Sequence, residues 1–88
     1  MLTVEDLQEG DVVYARADLY NDGGIAELEE GALLAPAGAR GVIVRKGHLE
    51  EEPGRSVFLV RFEDGARELG PPLGCWAEEL RADAAVVQ

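Results

Sequence analysis

Cys75, His48 and the acidic run Glu50-Glu51-Glu52 are the residues whose types could do chemistry. A nucleophile–base pair needs a thiol or hydroxyl oriented by an imidazole. The chain holds one Cys and one His, far apart in sequence, and nothing in their surroundings brings them together. No catalytic residue is assigned, and His48 reads as a loop residue without a chemical role. Zinc and iron–sulfur centres want several thiolates or imidazoles at close spacing, so no metal site closes within the chain and no cofactor is expected. Glu50 to Glu52 lack the alternating spacing of a calcium loop and read as a solvated segment. Cys75 is either one thiolate donated across an interface or, as is common for a free cysteine, a small buried hydrophobe. Trp76 has two readings as well. It plugs the end of a core short of aromatics, or it forms a binding platform with Gly70-Pro71-Pro72, Gly74-Cys75 and a tyrosine, Tyr14 or Tyr20.

Neither Gly38-Ala39-Arg40-Gly41 nor Asn21-Asp22-Gly23-Gly24 matches a phosphate-cradling loop; both are turn words. Charge narrows the partners further. The net charge is −10, and residues 1–30 hold nine acids against one base, Arg16. Such a surface repels phosphate backbones and anionic membranes, which argues against nucleic-acid and membrane partners. The acidity keeps a small protein in solution, or it steers the N-terminal third onto a basic patch of a partner. No apolar run approaches the ~20 residues of a membrane span, and the N-terminus lacks the pattern of a signal peptide. One cysteine suits a reducing cytoplasm.

The elements that must position these residues are short. Eighty-eight residues fit one domain, 1–88, with a modest core. Gly and Pro punctuate the chain in the rhythm of short strands joined by turns. Val12 to Ala17 suits a first strand with Val13, Ala15 and Ala17 inward. A loop follows at Asn21 to Gly24, then an irregular excursion or helical turn through residues 25–31. Leu33-Leu34-Ala35 pairs briefly before a turn at Ala35-Pro36-Ala37-Gly38, with proline second. Gly41 to Lys46 and Ser56 to Phe62 are the strongest strands. The second of these alternates, with Phe58, Val60 and Phe62 on one face and Leu59 and Arg61 on the other. Gly47 to Gly54 is a loop between them. Asp64-Gly65 turns the chain, Arg67-Glu68-Leu69 returns as a short strand, and Gly70 to Gly74 is extended and stiff. Ala77 to Leu80 forms one helical turn, and Arg81 to Gln88 adds a last strand or frays. This is a mainly β chain: a small SH3-like barrel of about five short strands, with a helical turn before the last. An open antiparallel sheet with one small helix is the alternative.

Four places, taken in order, resemble the NifZ family of nitrogen-fixation accessory proteins. They are Gly10-Asp11, Asn21-Asp22-Gly23, the Gly38 to Val42 step, and the block from Val57-Phe58 to Gly74-Cys75 and Glu78-Glu79-Leu80. The resemblance implies an SH3-like, cofactor-free protein without catalysis of its own. It implies a chaperone-like role in maturation of the molybdenum–iron nitrogenase component, where paired iron–sulfur units fuse into the P-cluster. The nitrogenase component or its precursor is then the partner. On this reading the residues expected to face the partner are Asn21, Asp22, Gly23, Cys75, Trp76, Glu78 and Glu79. A second similarity, to the variable subunit of ferredoxin–thioredoxin reductase, implies a barrel that clamps an iron–sulfur redox protein. The Gly74-Cys75-Trp76 segment and the Asn-Asp-Gly loop favour the first.

Overall fold

The computed structural model describes residues 3–23, 26–48, 50–52, 54–64 and 66–82. Within them the strands are β1 (Val12–Ala15), β2 (Leu19–Tyr20), β3 (Leu33–Ala35), β4 (Arg40–His48), β5 (Ser56–Glu63), β6 (Leu69–Trp76) and β7 (Leu80–Arg81). Short 3₁₀ turns stand at Val4–Asp6 and Ala77–Glu79. One sheet has the order β6-β5-β4-β1-β7, all neighbours antiparallel, and β2 pairs with β3 in a separate ribbon. The curled five-stranded sheet fits the small SH3-like barrel, with its 3₁₀ turn before the last strand.

β5 lies next to the longest strand, β4, and its alternation dictates its seat. Phe58, Val60 and Phe62 are buried while Val57, Leu59 and Arg61 are half-buried. Val13, Ala15, Ile43, Leu73 and Leu80 meet them in one core, to which the ribbon adds Leu19 and Ala35. Phe58, Ile43, Leu80, Val13 and Val60 are the largest fully buried side chains, and burying each stabilises the fold by about 1.5–3 kcal/mol. Gly41 sits where β5 leaves no space for a side chain. A Cβ there would lie 2.7 Å from Val60 Cγ1 and 3.0 Å from the Arg61 carbonyl oxygen.

Tertiary pairing extends or moves several expected elements. β4 continues through Gly47 and His48, which face Val57 and Ser56, so this part of the expected loop is strand. Val44 is exposed beside the buried Ile43, as strand alternation requires, and the register shift between Ile43 and Arg45 leaves it out of the pairing. β1 stops at Ala15, and Ala17, expected inward, is exposed. The turn after β3 starts one residue later than expected. The Ala39 N–H donates to the Pro36 carbonyl at 3.0 Å, so proline is first and Gly38, at φ +84°, is third. A positive φ at the third position is what a type II-like turn requires, and glycine supplies it.

Arg67-Glu68 forms no strand; Arg67 takes φ +63°, and β6 starts at Leu69 and runs through Pro71 and Pro72. The prolines are tolerated because β6 lies at the edge of the sheet. Near the register shift between Arg61 and Glu63, Arg61 Nε donates to the Gly70 carbonyl at 2.7 Å and Nη2 to that of Leu69 at 3.3 Å. The residues of the 25–31 excursion that are described form turns and bends rather than helix. Gly24, Ile25, the Gly65 turn position and the tail from residue 83 lie outside the described residues.

The N-terminal segment, unforeseen as an element, is clamped on the sheet. Lys46 Nζ donates to the carbonyls of Glu5 (2.6 Å) and Leu7 (3.2 Å), and Ser56 Oγ donates to Glu5 Oε2 at 2.9 Å.

Candidate functional site

Three stretches distant in sequence meet around a concavity of about 380 Å³. The ribbon supplies Leu19, Tyr20 and Leu34, β5 supplies Leu59, and β6 supplies Pro72 to Trp76. Asp22 and Glu79 give it carboxylates. The volume falls in the usual range of about 300–1,000 Å³ for ligand pockets.

Of the seven residues expected to face a partner, Asn21, Asp22, Cys75, Trp76 and Glu79 line this one space. Gly23 and Glu78 do not. Tyr20 joins the walls and Tyr14 does not. Leu19, Leu34, Leu59 and Leu73 were not singled out from sequence. Leu59 alone carried a signal, as an apolar residue on the outward face of an alternating strand.

The Asn-Asp-Gly loop owes its shape to Asn21, which is only 2% exposed. Its Nδ2 donates to the carbonyls of Leu28 and Glu29, each at 3.1 Å, and its Oδ1 accepts the Gly23 N–H at 3.1 Å. Its main chain exchanges bonds with Ala32 and Gly31, both at 2.7 Å. Gly23 sits at φ +100°, a conformation glycine adopts without steric cost. One short polar side chain thus closes the excursion and holds Asp22 at the concavity.

Trp76 is half-buried, with the Arg55 guanidinium 3.7 Å from its ring centroid. That cation–π contact contributes about 0.5–1 kcal/mol at an exposed site. Arg55 also pairs with Glu78 at 2.5 Å and Glu52 at 3.8 Å. The Glu78 carboxyl is held below the usual carboxylate range, first by its own backbone N–H and then by Arg55. Glu79 Oε1 accepts the Trp76 backbone N–H at 2.9 Å, which fixes the 3₁₀ turn to the end of β6.

Cys75 is buried, and its thiol donates to the Leu73 carbonyl at 3.6 Å. Burial pushes that thiol up to about 12, with the Glu79 carboxylate adding to the shift, so it is a neutral thiol at pH 7. His48 is exposed on β4, with β5 between it and Cys75 on β6. Two strand spacings, roughly 10 Å, separate the two strands. Among the described residues no group of three or more His, Cys, Asp or Glu is placed to hold a metal ion. No helix among them is long and apolar enough to cross a membrane.

A family model of the NifZ domain matches residues 5–82. The chain belongs to the NifZ family. NifZ proteins are accessory proteins of nitrogen fixation, and the family is not one of known enzymes. The match supports the first of the two resemblances drawn from the sequence. No curated protein and no solved structure matches the chain. The concavity lies wholly within the matched span of this NifZ domain.

Proposed function

We propose that this NifZ domain is a non-catalytic, chaperone-like binding module for maturation of the molybdenum–iron nitrogenase component, acting where the P-cluster forms. It works in the cytoplasm as one domain without a cofactor. It holds the immature component through the surface around Asn21, Asp22, Gly23, Cys75, Trp76, Glu78 and Glu79. The family match over residues 5–82 carries the reading. Two features of the site support it. Five of the named residues share one concavity with apolar walls and acidic groups, a surface suited to contact. The cysteine is a neutral buried thiol with the intervening β5 between its strand and that of the histidine, which argues for contact rather than turnover.

The test is capture of purified nitrogenase component by the immobilised chain. The immature, P-cluster-deficient form is expected in the eluate in excess over the mature form. Absence of both forms sinks the proposal.

A further inference from the structure

The concavity continues past Leu73, away from Trp76. A second, smaller cavity of about 90 Å³ is lined by Leu28, Leu33, Phe62 and Pro71. The two share Leu34 and Leu73, so together they form one trough between the edge strand β6 and the β2–β3 ribbon. Its ends differ. One carries Asp22 and Glu79 beside Trp76; the other is apolar, with Leu33 53% and Leu28 45% exposed.

We infer that the trough binds an extended segment of a partner protein in which a Lys or Arg adjoins apolar side chains. The cation lies at the end holding Asp22 and Glu79, and the apolar side chains cover Leu28, Leu33 and Pro71. Charge complementarity sets the first half. Two carboxylates at one end, on a chain of net charge −10, favour a cation and repel phosphate or carboxylate ligands. Exposed leucines next to a shallow apolar cavity set the second. Strand addition to β6 is the competing mode, and the sequence works against it. Of two consecutive strand residues one points its backbone outward, so either Pro71 or Pro72 removes a donor from the open edge. Recognition therefore runs through side chains. The inference rests on the proposed partner role of the first concavity and names the chemistry of what enters it.

The experiment is an NMR titration of the ¹⁵N-labelled full chain with three acetylated, amidated hexapeptides. One reads Gly-Arg-Leu-Ser-Leu-Gly, the second has Glu for Arg, and the third has Ser for both Leu. The arginine peptide is expected to shift the Trp76 indole and the amides of Asp22, Leu33 and Leu73, with an affinity on the order of 1 mM. The glutamate and serine peptides are expected to bind at least about fivefold more weakly. Glu79→Gln keeps an acceptor for the Trp76 N–H and should weaken the arginine peptide about threefold. Leu33→Ser should weaken it about fivefold, and Glu9→Gln, outside the trough, should leave it unchanged. Equal binding of the glutamate peptide, shifts confined to other residues, or no shifts from the arginine peptide overturns the inference. Capture of the nitrogenase component that both Glu79→Gln and Leu33→Ser leave intact also overturns it, while the accessory role stands. Trough binding of the arginine peptide with no capture of the component does the reverse.

Discussion

At Gly41 the residues of β5 leave no room for a side chain. An alanine Cβ at that position meets Val60 Cγ1 at 2.7 Å and Phe62 Cδ1 at 2.9 Å. Val60 and Phe62 are buried core side chains, and the Arg61 carbonyl at 3.0 Å cannot yield without moving the strand. Gly41→Ala is therefore expected to destabilise the fold by about 1–3 kcal/mol, read as a lower urea midpoint with an unchanged slope. Cys75 gives a pH-dependent counterpart. Its folded-state value, about 12, lies above the ordinary 9.0. Between these the unfolded chain has lost a proton that the native chain retains, so stability must fall as pH rises through that window and be unaffected below it. Subtracting the stability profile of Cys75→Ala from that of the native sequence isolates the effect. A flat difference between pH 8 and 11 would refute it.

At the scale of elements, the excursion from Asn21 to Ala32 depends on one amide side chain. Asn21→Ala removes two donors to the Leu28 and Glu29 carbonyls and the acceptor for the Gly23 N–H. The expected cost is about 1–3 kcal/mol, concentrated locally. Hydrogen exchange should quicken at Gly23, Gly31 and Ala32 while Val60 and Ile43 keep their protection. Uniform loss across the sheet would contradict the local role. The same scale shows what the sequence made legible. β5 was readable because burial on one face enforces a period of two, and Phe58, Val60 and Phe62 obey it. β6 was not, because Pro71-Pro72 argues against a strand until its edge position is known. β2 has two residues and a shifted register, too little for any pattern to show. Arg67 at positive φ has no glycine to announce it. Of the residues lining the concavity, Asn21, Asp22, Cys75 and Glu79 were named with the family resemblance, and Trp76 also from its place beside the prolines. The concavity itself was not legible, because Leu19, Leu34, Leu59 and Leu73 become neighbours only after strand pairing.

For the molecule as a whole, charge is the dominant long-range property. Eighteen carboxylates face eight bases. Among the described residues the ion pairs are Arg40–Glu63, Arg55–Glu52 and Arg55–Glu78, each with at least one well-exposed partner. Exposed pairs contribute about 0–1 kcal/mol, while the excess negative charge repels itself throughout. Raising salt from about 0.02 to 0.3 M shortens the Debye length below about 10 Å and should raise Tm by a few degrees. A decrease would mean that attractive pairs outweigh the repulsion. The same salt should weaken capture of a basic partner, so stability and binding are expected to move in opposite directions.

Lys46 is the sole lysine of the chain, and its ammonium is already hydrogen-bonded to the carbonyls of Glu5 and Leu7. Amine-reactive cross-linkers will therefore find a single side-chain amine, itself hydrogen-bonded, and a complex trapped that way would yield few side-chain bridges to this protein. Carbodiimide coupling from its carboxylates to the lysines of a neighbour suits this chemistry better, and Asp22 or Glu79 would be the informative attachment points.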